Sequence, residues 1–199
     1  LPPKLAPIHV VIVPIFRNDE ELKRVTDAVE PIIKSLRSQN YVVRFDNRDT
    51  HKPGFKFAEW ELKGVPVRLA IGPRDLDNNT IEVARRDTKT KESRSLKGIE
   101  ADIPALLDQI QKDMYAKALK FRESMITEVE SFDDFKKVLD EKTGFVSAHW
   151  DGTIETETAI KDATKATIRC IPLNAKREDG ICIFSGKPSQ QRVLFARAY

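Results

Sequence analysis

The chain has 199 residues and a formal net charge of +3, although charged residues make up 33% of it. A charge so close to neutral predicts that any contact with nucleic acid depends on local clusters of cations. The hydrophobic share of 40% suits one large folded domain or two small ones. Two cysteines, Cys170 and Cys182, are too few for a disulfide framework and favour a reducing compartment. No apolar run approaches membrane-spanning length, so we expect no membrane contact.

The first part of the chain alternates strand and helix patterns. The apolar run 8–15 predicts a central strand covered on both faces. Apolar residues at helical spacing over 22–36 predict a helix, which Pro31 should kink or divide. A strand over 41–46 then completes a parallel βαβ unit. A short helix over 55–63 and a strand over 65–71 are expected next, and Gly72 and Pro73 should end that strand. A hairpin is expected over 80–86 and 91–96. A long helix should follow, capped by Asp102 and running past residue 121.

The remainder of the chain predicts a second, smaller unit. Its expected helices are 132–139 and 153–164, its expected strands are 145–150, 167–172, 181–185 and 192–198, and 174–180 is a polar turn region. The sequence therefore predicts an α/β fold with a mixed five-stranded sheet and flanking helices over residues 1–130. A small α+β domain is expected over 131–199.

One segment mixes cations, carboxylates and aromatics, which a hydrophobic core alone does not require. It extends from Arg48 to Asp75, and further cations follow in the hairpin. A single surface cation is more often only solvated, and Phe57 and Trp60 suit a core. The whole mixture suits a surface that reads bases and neutralises phosphates. Its cations are Arg48, Lys56, Arg68, Arg74, Arg86 and Lys91, and they are interleaved with Phe55, Phe57 and Trp60.

Three stretches also carry a family resemblance: HVVIVPI, PGFKFAEWELKGVPVRLAIGPRDL and RVLFARAY. Together they resemble the anticodon-binding domain and C-terminus of prolyl-tRNA synthetase of the archaeal and eukaryote-like type. The resemblance implies the class II synthetase anticodon-binding fold. It also implies a parent enzyme, a cytoplasmic homodimer, that uses ATP and Mg²⁺ to attach proline to tRNA.

The chain is too short to hold an aminoacylating domain as well. The opening Leu1-Pro2-Pro3 suggests a linker cut from a longer protein. We therefore expect a fragment that performs no catalysis and has no cofactor of its own. Its expected partners are tRNA(Pro) and the missing N-terminal catalytic domain.

The resemblance also implies which residues read the anticodon. A proline anticodon carries two adjacent guanines, whose O6 and N7 acceptors suit Arg or Lys and whose N–H donors suit a carboxylate. The implied base-reading residues are Glu61, Arg68, Arg74, Asp75 and Lys91. Contacts to the tRNA backbone are expected from Arg48, Lys56 and Arg86; we place Lys56 on phosphate because no carboxylate lies immediately beside it in the sequence.

In some members of this family the C-terminal domain binds structural zinc. The expected ligand positions fall near Trp150, near 153–155, on Cys182 and on Ser185. Four N or S donors are needed, and only Cys182 remains, so we expect the fold without the metal. The neighbouring His149 is expected to be packed or on the surface. The resemblance further implies that Tyr199, at the C-terminus, reaches toward the catalytic domain.

Two other functions stay open on the sequence. The first is an interaction or dimerisation module on the same sheet, and the second is a small-molecule enzyme. No Walker loop, dinucleotide-binding glycine turn or nucleophile elbow supports the second. A strongly salt-dependent affinity for tRNA would separate RNA binding from both.

Overall fold

A parallel βαβαβ arrangement opens the fold. In the computed structural model, which describes residues 1–173, 175 and 177–198, a short 3₁₀ helix (Pro3–Leu5) precedes the first strand. The elements are β1 (Val10–Pro14), α1 (Asp19–Ser38), β2 (Val43–Phe45), α2 (Pro53–Leu62), β3 (Val67–Ile71), α3 (Pro73–Asp77), β4 (Thr80–Arg85), β5 (Lys91–Ser95) and α4 (Ile99–Ser124).

The sheet of this first unit has the strand order β2-β1-β3-β4-β5. Strand β1 is parallel to β2 and β3, whereas β4 is antiparallel to β3 and β5. The predicted mixed five-stranded sheet is therefore confirmed.

Both faces of β1 are covered, as its unbroken apolar run predicts. On one face Val10 and Ile12 pack with the apolar stripe of α1. On the other face Val11 and Val13 pack against Trp60 of α2. Because β2 and β3 lie on opposite sides of β1, a crevice forms between the carboxyl ends of β1 and β3. Such a crevice is the usual position of a ligand site in an open α/β sheet.

The chain divides into two compact units, and the second starts at Ala118, within α4. The later elements are β6 (Ile126–Glu128), α5 (Phe132–Glu141), β7 (Phe145–His149), α6 (Ile154–Thr164), β8 (Ala166–Cys170), β9 (Gly180–Ile181), β10 (Pro188–Ser189) and β11 (Arg192–Arg197). Four of these strands form a sheet in the order β6-β7-β11-β8. Its core includes Val146, Phe195, Phe135 of α5 and Ile160 of α6.

The long helix begins earlier than its expected cap. Asp102 was expected to be the N-cap, but α4 starts at Ile99 and Asp102 lies in its first turn. The amide N–H groups of Ala101 and Asp102 both donate to the carbonyl of Gly98, at 2.9 and 3.3 Å. Ile99 is fully buried. Packing of that residue in the core therefore sets the start of the helix one turn before the acidic residue.

Two other local predictions differ in part from the structure. Pro31 does not divide α1, which is continuous from Asp19 to Ser38. The carbonyl that Pro31 leaves without a helical donor belongs to exposed Asp27, where water can bind it. The expected strand 181–185 shrinks to Gly180–Ile181, because Cys182 and Gly186 close a tight loop after it.

No helix within the described part of the chain is long and apolar enough to cross a membrane.

Candidate nucleic-acid interface

Arg68, near the start of β3, is the most unusual cation of the first unit. The residue is 9% exposed, and its guanidinium carbon lies 3.6 Å from the centre of the Phe57 ring. Its Nη2 pairs with Glu82 Oε1 at 2.8 Å. Its Nη1 is buried and has no hydrogen-bond partner among the described residues. An unpaired buried donor on a charged group is costly, so this position favours a ligand that supplies an acceptor.

Around this guanidinium lies a cavity, which we call the Arg68 cavity. It is lined by residues of β1, α2, β3 with the segment before it, and the β4–β5 hairpin, namely Val11, Phe57, Trp60, Glu61, Val65, Arg68, Ala84, Arg85, Arg86, Lys89, Thr90 and Lys91. The Arg86 guanidinium donates from Nε to the Glu61 carbonyl at 2.7 Å, which ties the hairpin to the end of α2. The Glu61 carboxylate lies 3.8 Å from the Lys89 ammonium, and both side chains are largely exposed.

The structure brings together three of the base-reading residues that the resemblance implied, Glu61, Arg68 and Lys91, with Arg86, which was expected to contact the tRNA backbone. Apolar rings lie beside charged groups of both signs, which suits a base with donors and acceptors on its edges. Lys89, Phe57 and Glu82 were missed as site residues. Lys89 lies in the hairpin turn with a positive φ of 59°, and only the turn pattern of residues 87–90 could have indicated its position.

Arg74 and Asp75 do not line the Arg68 cavity. They lie in α3, beyond the carboxyl end of β3, in a second depression with Phe16 and Arg17. Asp75 Oδ2 accepts a hydrogen bond from the Gly72 amide at 2.8 Å, which fixes the start of α3. This Arg74 depression lies at the crevice between β1 and β3. The implied base-reading residues thus form two separate groups along β3.

Two of the expected backbone contacts are occupied within the protein. Lys56 is 1% exposed, and its ammonium donates to the Asp46 carbonyl at 3.2 Å. Burial is the main cause of its lowered pKa, which the negative charge of Asp46 opposes. The absence of a sequence-adjacent carboxylate was therefore misleading, because β2 brings Asp46 to Lys56 in the fold. Such a position does not support a phosphate contact.

Arg48 belongs to the same cluster. Its guanidinium makes two 2.7 Å hydrogen bonds to the Asp46 carboxylate and a third, of 2.5 Å, to Glu59. The indole of Trp60 donates to Asp46 at 2.7 Å. Burial raises the pKa of Asp46, but the hydrogen bonds from Arg48 and Trp60 outweigh it and hold the pKa well below the usual range. The cluster joins β2 to α2, so Arg48 is already neutralised.

In the second unit a carboxylate lies at the position where zinc was considered. Asp151 Oδ1 accepts from the amide and hydroxyl of Thr153, at 3.0 and 2.8 Å. Its Oδ2 accepts from the hydroxyls of Thr156, at 2.8 Å, and Ser185, at 2.7 Å. Burial raises the pKa of Asp151, but these hydrogen bonds outweigh it and lower the pKa to about 2. We call this group the Asp151 hub.

The residues present do not fit a zinc site. Ser185 donates its hydroxyl proton to Asp151, and the Trp150 indole donates to the Thr153 carbonyl at 3.1 Å. Cys182 is the one thiol at the expected positions, whereas structural zinc takes four N or S ligands. Over the described ranges, no three His, Cys, Asp or Glu side chains form a group that could hold a metal ion.

His149 is packed, which is one of the two positions expected for it. The residue is 1% exposed, with Nδ1 3.1 Å from the Ser189 hydroxyl and Nε2 3.4 Å from Glu178. A Cβ on Gly180 would lie 2.3 Å from Nε2, so glycine lets the backbone cover the ring. Tyr199, expected to reach toward a catalytic domain, lies outside the described residues.

Comparison with known proteins identifies the family of this chain. Residues 9–106 match the family described as "Anticodon binding domain", and residues 132–199 match "Prolyl-tRNA synthetase, C-terminal". Over all 199 residues the chain is 61% identical to the proline–tRNA ligase of Flavobacterium psychrophilum and 59% identical to that of Flavobacterium johnsoniae. It is 59% identical to that of Porphyromonas gingivalis strain ATCC 33277. The chain spans 40% of the length of each of these relatives. It therefore belongs to the proline–tRNA ligase family and corresponds to the C-terminal region with the anticodon-binding domain.

Proposed function

We propose that the first unit reads the guanines of the proline anticodon, and that the Arg68 cavity accepts one of them. The buried, unpaired Nη1 of Arg68 carries this proposal. Guanine O6 and N7 would supply the acceptor that the protein does not provide. The ring of Phe57 covers the guanidinium and keeps water from it, so the hydrogen bond forms in a low-dielectric setting.

The other charged groups of the cavity fit the same base. The Glu61 carboxylate can accept from the N–H donors of a splayed guanine, and Lys91 can add a donor to its acceptor edge. Arg86 holds the hairpin in place through the Glu61 carbonyl. We assign Lys89, whose side chain is 80% exposed, to a phosphate contact.

The Arg74 depression is proposed to read the second guanine. Its Arg–Asp pair offers one donor group and one acceptor group, the same combination as in the Arg68 cavity. Asp75 is held by the Gly72 amide, which supports a fixed orientation of its carboxylate.

Binding of an anticodon hairpin tests the proposal. An RNA hairpin with the proline anticodon is compared with hairpins in which each guanine is replaced by adenine, at one fixed salt concentration. Each replacement should cost wild type about 1–3 kcal/mol. Arg68→Lys keeps the charge but loses the planar fork, so discrimination at one guanine position should shrink.

Arg94→Lys is the matched control, since Arg94 lies on the same sheet and pairs with Glu92 outside the cavity. It should discriminate as wild type does. Equal affinity of the wild-type chain for all the hairpins would refute base reading. A change in Arg94→Lys as large as that in Arg68→Lys would refute the assignment to the cavity.

The activity of the whole protein is also a proposal. We infer that the parent enzyme attaches proline to tRNA with ATP and Mg²⁺, with the catalysis in a domain outside this chain. The names of the relatives support this. We further propose a cytoplasmic homodimer of the archaeal and eukaryote-like type, with Tyr199 directed toward the catalytic domain. An aminoacylation assay of the full-length protein tests the activity. Its mass in solution tests the homodimer.

The domain division and the loss of zinc also stay proposals. We place the functional boundary at 130/131, which the family match starting at residue 132 supports. The Asp151 hub supports a small domain held together without metal.

A further inference from the structure

Two aromatic rings stack at the surface just before and inside the first turn of α2. The His51 and Phe55 rings lie 4.5 Å apart between centroids with an interplanar angle of 25°. Phe55 is 55% exposed even though His51 covers part of it. We call this pair the aromatic shelf. A ring stacked on one side and exposed elsewhere offers a π-face that contributes nothing to the core.

The backbone beneath the shelf is firmly held on both sides. Upstream, Arg48 is bound to the Asp46 carboxylate, and downstream Lys56 is buried directly after Phe55. The Phe55 amide donates to the Lys52 carbonyl at 3.0 Å, which closes the first turn. The His51 Nδ1 lies 2.8 Å from the Thr50 hydroxyl, which fixes the tilt of the imidazole. The exposed rings are therefore pre-positioned, which lowers the entropy lost on binding.

The shelf lies at the same edge of the sheet as the Arg74 depression. In a parallel βαβ unit the helix that follows a strand begins at the carboxyl edge, and α2 follows β2 in this way. The Lys56 ammonium lies 5.7 Å from the centre of the Phe16 ring, and Phe16 lines the depression. Exposed Lys52, next to His51, adds positive charge at this edge.

We propose that the aromatic shelf stacks an unpaired nucleobase of the anticodon loop, next to the base that the Arg74 depression holds. Aromatic side chains, including His, stack splayed bases, and such stacking accepts any base because every base has a π-face. The inference rests on the proposed anticodon binding and adds a contact that does not read sequence. The positive charge at this edge favours RNA over an apolar protein surface as the occupant.

The test compares two substitutions of Phe55 in the 199-residue chain. Phe55→Leu keeps an apolar side chain but removes the π-face, whereas Phe55→Trp retains it. Leu62→Ala is the control, since Leu62 is 87% exposed on the same helix. The probe is the proline anticodon hairpin, with 2-aminopurine replacing each loop nucleotide other than the two guanines in turn.

We expect Phe55→Leu to bind the hairpin at least about 5-fold more weakly, while Phe55→Trp and Leu62→Ala stay within about 2-fold of wild type. Discrimination between guanine and adenine should be unchanged in all three. One 2-aminopurine position should be quenched on binding to wild type, and Phe55→Leu should abolish this quenching.

Three results would overturn the proposal that the aromatic shelf stacks a base. Wild-type affinity and quenching in Phe55→Leu, with discrimination still dependent on Arg68, would refute base stacking on the aromatic shelf and leave the proposed function intact. Equal losses in Phe55→Leu and Phe55→Trp, or in Phe55→Leu and Leu62→Ala, would show that the π-face is not what binds. Absence of hairpin binding by wild type would overturn the proposed function and the shelf together.

Discussion

Asp151→Asn should destabilise the second unit while leaving its shape nearly unchanged. The carboxylate accepts four hydrogen bonds, from three residues that follow β7 or lie in the loop after β9. Asparagine has the same size, but only one of its two terminal groups can accept. Its amide would face the hydroxyls of Thr156 and Ser185, which now donate to Oδ2.

The magnitude follows from the protonation equilibrium of Asp151. Its pKa falls from 3.8 to about 2 on folding. Because the pKa is lower in the folded state, the ionised carboxylate stabilises the fold. This stabilisation is complete at pH values above the unfolded-state pKa. At pH 7 this corresponds to about 1–2 kcal/mol, because solvent screens part of the interaction at this partly exposed carboxylate. The stabilisation should fall to about half at pH 3 and be nearly absent at pH 2, as the folded carboxylate is protonated.

Hydrogen exchange resolved by segment is the appropriate assay, because the two units can open separately. Amides of β7 and β11 report the opening of the second unit. In Asp151→Asn they should exchange with an opening free energy about 1–2 kcal/mol lower at pH 7. The control Asp162→Asn, at an exposed site of α6, should stay within about 0.5 kcal/mol of wild type.

Urea titrations at pH 7 and pH 3 give the pH dependence. The difference between wild type and Asp151→Asn should shrink as the pH falls. A difference that is absent at pH 7, or that grows toward pH 3, would refute a stabilising ionised Asp151.

Three further outcomes are expected. Lys56→Ala should lower the stability of the first unit by about 1–3 kcal/mol in urea unfolding, since it leaves a cavity and an unpaired Asp46 carbonyl; unchanged stability with weaker RNA binding would restore the phosphate role. Gly180→Ala should cost about 1–3 kcal/mol, because the new Cβ would overlap the His149 ring, and unchanged protection of β7 would contradict this packing. Removal of metal with a chelator should leave the melting temperature unchanged, whereas one zinc per chain and a lower melting temperature after chelation would reverse our interpretation of the Asp151 hub.

Much of the first unit could be predicted from local patterns. The apolar run at β1 and the helical stripe of α1 each reflect burial, which leaves a period in the sequence. The start of α4 was harder to predict, because the tertiary packing of Ile99 outweighs the capping preference of Asp102. The tight loop after β9 was likewise missed, since hydrogen bonds between loop residues leave no periodic signal.

For the candidate site, residue types alone determined that cations, carboxylates and aromatics would meet in the first unit. Contacts between residues distant in sequence decided which of these side chains remain available to a ligand. Asp46 engages Arg48 and Lys56, whereas Arg68 retains a buried donor without a partner. A charged residue in a sequence does not show whether the partner of its side chain is water, another side chain or a ligand. That depends on which strands and helices the fold brings together, and so only the tertiary structure separated the cations engaged within the protein from those that remain available to a ligand.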